Sequence, residues 1–181
     1  MIRRVLAAAT AVTLCVALAP QPLAAQTAQA KPPASPPAQA TVKIGAATIT
    51  IDYARPSMRG RKIMGELVPY DKVWRTGANA ATKLTTDAAI TIGGAAIPAG
   101  TYTLYTLPGE KAWKLIVNKQ TGQWGTQYDE AQDLVRVDLK VEATTAPVEQ
   151  FTITLSAAGA NAGLLVLEWE NTKLSAPVGV K

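Results

Sequence analysis

Arg55, Ser57, Arg59, Arg61, Lys62, Lys72, Trp74, Arg75 and Asn79 crowd into one stretch that reads ARPSMRGRKIMGELVPYDKVWRTGAN from Ala54. Guanidinium groups are planar forks of N–H donors, a geometry that grips carboxylate, sulfate or phosphate at two points. A turn at Gly60 would add backbone amides in an anion-binding concavity. An exposed Trp74 would offer a flat face to a sugar or a peptide. Arg55, Ser57, Arg59, Arg61, Trp74, Arg75 and Asn79 are therefore the candidate ligand-binding residues, for an anionic or sugar-like ligand. The same charges have a second use. Paired with Asp52, Glu66, Asp71, Glu168 and Glu170, they would fix a long loop on the body of the domain. No glycine-rich phosphate motif is present.

Catalysis has little to work with. The chain has no histidine, and its single cysteine is Cys15, inside an N-terminal apolar run. That removes His-based triads, Cys–His nucleophiles and the usual zinc or copper sites. Ser57 with Lys62 or Lys72 would make a Ser–Lys pair, but no glycine precedes it where a nucleophile elbow requires one. A hydroxyl that orders its loop is the simpler role. Asp129, Glu130 and Asp133 form an acidic patch without the spacing or glycine of a calcium loop. No catalytic residue, metal ligand or cofactor is assigned. The functional expectations, in order, are a binding module, a structural or protein-interaction domain of the cell envelope, and a histidine-independent hydrolase.

The rest of the chain must position these residues. Residues 1–25 have the parts of a secretory signal peptide: Arg3 and Arg4, an apolar run from Val5 to Ala19, and small residues at Ala24 and Ala25. An apolar helix of that length spans about 22 Å, short of the roughly 30 Å hydrocarbon core, so a membrane span after cleavage is not expected. Leu14 before Cys15 does not suit lipoprotein processing. Without Arg3 and Arg4, Lys+Arg falls from 18 to 16 against 13 acids. The resulting net charge of +3 is too small an excess to imply a nucleic-acid partner. Residues 26–40, QTAQAKPPASPPAQA, read as an extended Pro/Ala-rich linker. The protein is expected to be periplasmic or secreted, with an anionic or carbohydrate ligand or an envelope protein as partner.

From Thr41 the pattern has a period of two. Thr48–Tyr53, Lys83–Thr86, Ala88–Ile92, Thr101–Leu107, Trp113–Asn118, Leu134–Val141, Phe151–Leu155 and Leu164–Trp169 read as short strands, with an edge strand at Thr172–Leu174 stopped near Pro177. Gly93-Gly94 reads as a hairpin turn, and Gly77 with Asn79 as a sharp bend. Trp113 and Trp169 fall within strands and read as core, whereas Trp124 lies by a turn. Eight to ten short strands without an amphipathic helix predict an all-β fold. Residues 41–181 would form a single β-sandwich, jelly-roll-like or a flattened barrel.

Several of these segments together resemble one exported bacterial family, domain of unknown function 2911. The resemblance is carried by Tyr53-Ala54-Arg55-Pro56-Ser57, Gly60-Arg61-Lys62, Leu67-Val68-Pro69-Tyr70 and Val73-Trp74-Arg75-Thr76-Gly77-Ala78-Asn79. Ile97-Pro98-Ala99-Gly100-Thr101-Tyr102, Gln123-Trp124-Gly125 and Leu167-Glu168-Trp169-Glu170 extend it over about Val42 to Leu174. It implies export but no activity, ligand or catalytic residue. The family commonly has glycine where this chain has Asp71 and a bulkier aromatic where it has Met64, which implies a differently shaped loop.

Overall fold

Alternation in the sequence becomes strand over much of residues 33–180, the part of the chain that the computed structural model describes. The leader and the first residues of the linker lie outside it. The strands are β1 (Pro37–Ile44), β2 (Ala47–Ala54), β3 (Thr82–Thr86), β4 (Ile90–Ile92), β5 (Ala95–Ile97), β6 (Gly100–Leu107), β7 (Trp113–Asn118), β8 (Asp133–Ala157) and β9 (Ala162–Val180). They form one antiparallel sheet of nine strands in the order β1-β2-β3-β6-β7-β8-β9-β4-β5. Among the described residues there is no α-helix, only a 3-10 turn at Glu130–Gln132. No helix there is long and apolar enough to cross a membrane.

The fold is all-β and sandwich-like, and the strand order does not close into a barrel. One wall of the core comes from Ile49, Ile51, Leu84, Leu104, Leu115 and Val117. The facing wall comes from Phe151, Ile153, Leu165, Leu167 and Trp169 of β8 and β9, with Ile90, Ile92 and Ile97 filling one end. Trp113 and Trp169 are both buried, as their places in strands predict. Gly93 and Gly94 turn β4 into β5 at φ +57° and +84°, the paired positive values that a tight hairpin needs.

Strand ends are where sequence and structure part. The stretches 134–141 and 151–155 are one strand, β8, and 164–169 and 172–174 belong to β9, which runs through Pro177. Register shifts between Ala143 and Val148 and between Val148 and Thr152 bend the β8–β9 pair without ending it. Pro147 sits in the first shift, where no ladder bond is asked of it. Pro177 keeps its place through its carbonyl, which accepts the Gly93 N–H at 2.8 Å. β1 starts at Pro37, inside the stretch read as linker, because Ala38 and Ala40 continue the alternation and pack on the core.

Those shifts leave one edge of β8 in need of partners, and the end of β2 supplies them. The Phe151 N–H donates to Pro56 O (2.9 Å) and the Met58 N–H to Glu149 O (2.8 Å). The Tyr53 hydroxyl accepts the Ile153 N–H at 2.9 Å and donates to Ile153 O at 3.3 Å. Arg55 adds Nε to Phe151 O (3.1 Å) and Nη2 to Thr152 Oγ1 (2.7 Å). Removing the Tyr53 hydroxyl would strand two buried backbone groups, so Tyr53→Phe should cost about 1–3 kcal/mol. The urea midpoint should fall with an unchanged slope. Arg61→Ala, on the exposed loop, should stay within about 0.5 kcal/mol; equal losses in the two variants would contradict this division.

Candidate functional site

The arginine-rich segment does not form an open cluster of donors. Arg55 is committed to β8, as described. Arg59 donates from Nη2 to Ala34 O (2.9 Å), and its N–H goes to Glu149 Oε1 (2.9 Å). Arg61 folds back on its own turn, with Nε on Met58 O (2.9 Å) and Nη2 on Ser57 O (2.7 Å). These guanidinium groups hold carbonyl oxygens. Of the acids read as partners of the segment, Glu66 does face Lys62 (3.7 Å), whereas Asp52 is engaged with Lys83 (2.9 Å) and Glu170 with the N–H groups of Ile63 and Met64 (3.1 and 3.0 Å).

The other candidates scatter. Trp74 stacks on Trp169 (centroids 5.7 Å apart, 20° between planes) and meets Phe151 edge-on at 5.0 Å, so it belongs to an aromatic cluster flanking the core. Ser57 is bridged to Gln150; Lys62, one of the two bases considered for it, faces Glu66. The Arg75 stem runs beneath Gly125, where a Cβ would come within 2.7 Å of its Cδ. Asn79 alone of the seven candidates lines a substantial cleft.

That cleft, of about 480 Å³, lies on the outer face of β2, β3 and β6. Strand pairing sets Gln39, Asp52, Lys83 and Thr103 side by side across β1, β2, β3 and β6. Asp52, Lys83 and Thr103 line the cleft with Ala54. Pro33, Ser35 and Pro37 border it on the β1 side, and Gly122 and Gln123 on the β6 side. Ala78–Ala81 run alongside Gln123, held by Ala81 N–H to Gln123 O (3.4 Å) and Gly125 N–H to Asn79 O (3.1 Å). A hydrogen bond from Gln39 Nε2 (2.6 Å) and the neighbouring Lys83 together hold the Asp52 carboxyl below its usual value.

Gln123 carries the most unusual feature of the cleft. Its Nε2 donates to Thr103 Oγ1 and to the Tyr105 hydroxyl, both at 3.1 Å. Those hydroxyls donate onward to Gln120 O and Gln127 O at 2.7 Å, so they can only accept from Gln123. The amide orientation is thereby fixed, and Gln123 Oε1 is buried without a partner, as is Gln120 Oε1. Such an orphan costs about 1–3 kcal/mol. The cleft thus combines alanine and proline surface with a few convergent donors and acceptors, the make-up of a small-molecule site.

The loop bearing Gln123 is anchored by the acidic patch. Asp133 accepts the Tyr128 hydroxyl (2.7 Å), Asn118 Nδ2 (2.9 Å) and Arg136 (2.9 Å), and Arg136 also holds Glu130 (2.7 Å). These carboxylates order a loop. Sequence reasoning missed Gln39, Asp52 and Lys83 as site residues because only strand register makes them neighbours, and their one signal was an outward position in the alternation; Gln123 joins them from a loop, through its bond to Thr103.

The model of a family described as Protein of unknown function (DUF2911) matches residues 35–178. No curated protein and no solved structure matches the chain.

Burial first, and then the Asp133 carboxylate, push the Tyr128 hydroxyl up to about 12. A raised folded value means that its stabilising share is complete below about pH 10, the unfolded tyrosine value. That share is lost as pH rises through about 12. Urea midpoints measured across that window should fall for the wild type. Tyr128→Phe should be less stable at neutral pH and should flatten this alkaline limb; an unchanged limb would remove Tyr128 from the anchoring of the loop.

Proposed function

The chain belongs to this family of unknown function, and we propose that it is an exported binding module whose cleft holds a small, neutral, sugar-like ligand. The observation that carries the proposal is the polar lining. The charge-neutral pair Asp52–Lys83 lines the cleft together with Asn79, Thr103 and Gln123, and the remaining walls are largely alanine and proline. A sugar presents hydroxyls that both donate and accept, which suits a site with carboxylate, ammonium and amide groups in reach of one another. The anionic form of the expectation loses most of its donors, because Arg55, Arg59 and Arg61 are bonded to carbonyl oxygens. Export rests on the basic start and apolar run of residues 1–25, and a periplasmic or secreted location would bring the cleft into contact with extracytoplasmic sugars.

A thermal-shift series with cellobiose, chitobiose, inorganic phosphate and a sulfated disaccharide tests this. At a hundred times its dissociation constant, a ligand adds about 2.7 kcal/mol, and a neutral disaccharide should raise the melting temperature accordingly. The rise should vanish in Lys83→Ala and in Asn79→Ala, and persist in Arg61→Ala. A rise seen only with the phosphate or the sulfated sugar, and lost in Arg61→Ala or Arg75→Ala, would return the site to the arginine segment. No rise with any of them would overturn the proposal.

A further inference from the structure

The register that aligns the cleft floor also builds a second row beside it. One step along each strand, Thr41 faces Thr50, Thr50 faces Thr85, and Thr85 faces Thr101, so four threonines cross β1, β2, β3 and β6 in line. Each stands two residues from its counterpart in the floor: Thr41 from Gln39, Thr50 from Asp52, Thr85 from Lys83 and Thr101 from Thr103. Period-two alternation therefore puts both rows on the same face, about 7 Å apart. The hydroxyls pair at 3.2 Å between Thr41 and Thr50 and at 3.4 Å between Thr85 and Thr101. Thr41 and Thr101 are exposed and the middle two half-buried.

We propose that the threonine row is a shelf extending the cleft, on which further units of a linear neutral glycan lie. This rests on the sugar-binding reading of the cleft and adds the length and polymeric nature of the ligand. Each hydroxyl has one donor and two acceptor sites, so a paired hydroxyl still has hydrogen-bonding capacity to turn toward a ligand. Threonine is stiff at χ1, so little rotamer freedom is lost when a chain settles on the row. The row bears no formal charge, and the pair Asp52–Lys83 next to it sums to zero, which suits an uncharged polymer better than a polyanion. Along the row itself a peptide would find no aromatic anchor of the kind on which protein interfaces depend. The extended peptide mode adds along a strand edge, not across a face.

Threonine is also a good strand former, and a row of it can exist for that reason alone. Valine separates the two causes, since it keeps the shape and the strand preference and removes only the hydroxyl. Calorimetric titration of the protein with cello- and chito-oligosaccharides, from disaccharide to hexasaccharide, reads the ligand length. The hexasaccharide should bind the wild type at least tenfold more tightly than the disaccharide. Thr50→Val/Thr85→Val should bring the hexasaccharide to the disaccharide's affinity and leave the disaccharide unchanged, and Thr50→Ser/Thr85→Ser should restore the difference. If the middle pair compromises folding, Thr41→Val/Thr101→Val at the exposed ends makes the same test. Equal wild-type affinities for short and long sugars, or a valine variant that loses nothing, overturn the shelf while leaving the cleft in place. A sulfated glycan binding in preference to the neutral one overturns the uncharged ligand. Failure of every sugar to bind overturns the cleft reading and the shelf with it.

Discussion

β8 needs hydrogen-bond partners on both of its edges, and that need organises the molecule. Residues 133–139 of β8 pair with β7 and residues 140–157 with β9, yet no strand lies beside residues 149–153 on the edge away from β9. Buried backbone groups left unpaired there would each cost a few kcal/mol. The end of β2 meets the need with the Tyr53 hydroxyl, the Pro56 carbonyl, the Met58 N–H and the Arg55 guanidinium. Pro56 suits this edge because it is asked only to accept. Around the same seam Trp74, Phe151, Trp169 and Tyr53 pack edge to face or stacked, so the polar stitch and the aromatic cluster reinforce each other.

This constraint changes what the arginine segment means. Clustered arginines in a loop suggest an anion, because a free guanidinium fork seeks paired oxygens. Here the oxygens come from carbonyls of the chain itself: Phe151, Ala34, Met58 and Ser57. A sheet that is not closed by strand pairing has carbonyls to satisfy at its seam, and arginine, with five donors on one rigid fork, satisfies several at once. Arg55 thereby fastens the seam, Arg59 ties the segment to the chain before β1, and Arg61 braces its own turn. Arg59 grips Ala34, and Ser35 and Pro37 follow directly on the β1 side of the cleft.

How much of this was legible in the sequence follows from the range of each interaction. Alternation is local, so the all-β class, most strands, the Gly93-Gly94 hairpin and the buried Trp113 and Trp169 could be read from neighbouring residues. Strand ends were less legible, because proline and glycine mark local geometry without saying whether a bulge or a break results; β8 and β9 absorb theirs as register shifts. The cleft was hardly legible at all. Asp52 and Lys83 look like ordinary solvated charges until β2 pairs with β3, and Gln123 until its loop folds over Thr103. Asp71 is an instructive middle case. It adopts φ +59°, a conformation glycine takes without strain, so the bend there is set by the fold and not by the residue type. Its N–H is held by Pro108 O at 2.8 Å.

Strain is distributed with the same logic. Of the non-glycine residues at positive φ among the described residues, Arg59, Asp71, Thr76 and Asn79 lie in the segment between β2 and β3, and Glu170 lies outside it. Thr76, at φ +53°, is the costliest, since a β-branched side chain there is a genuine outlier worth about 1–3 kcal/mol. It persists because it is fully buried and bonded on both sides: its hydroxyl donates to Thr106 Oγ1 at 3.2 Å, and its carbonyl accepts from Thr82 Oγ1 at 2.7 Å. The bend that follows, Gly77 to Asn79, cannot relax without breaking those bonds. It carries Ala78 and Asn79 into the lining of the cleft beside Gln123. The strained threonine therefore fixes the bend that supplies this wall of the cleft. The proposed binding reading of the cleft asks for fixed positioning of this kind, since freedom lost in advance need not be lost when a ligand arrives.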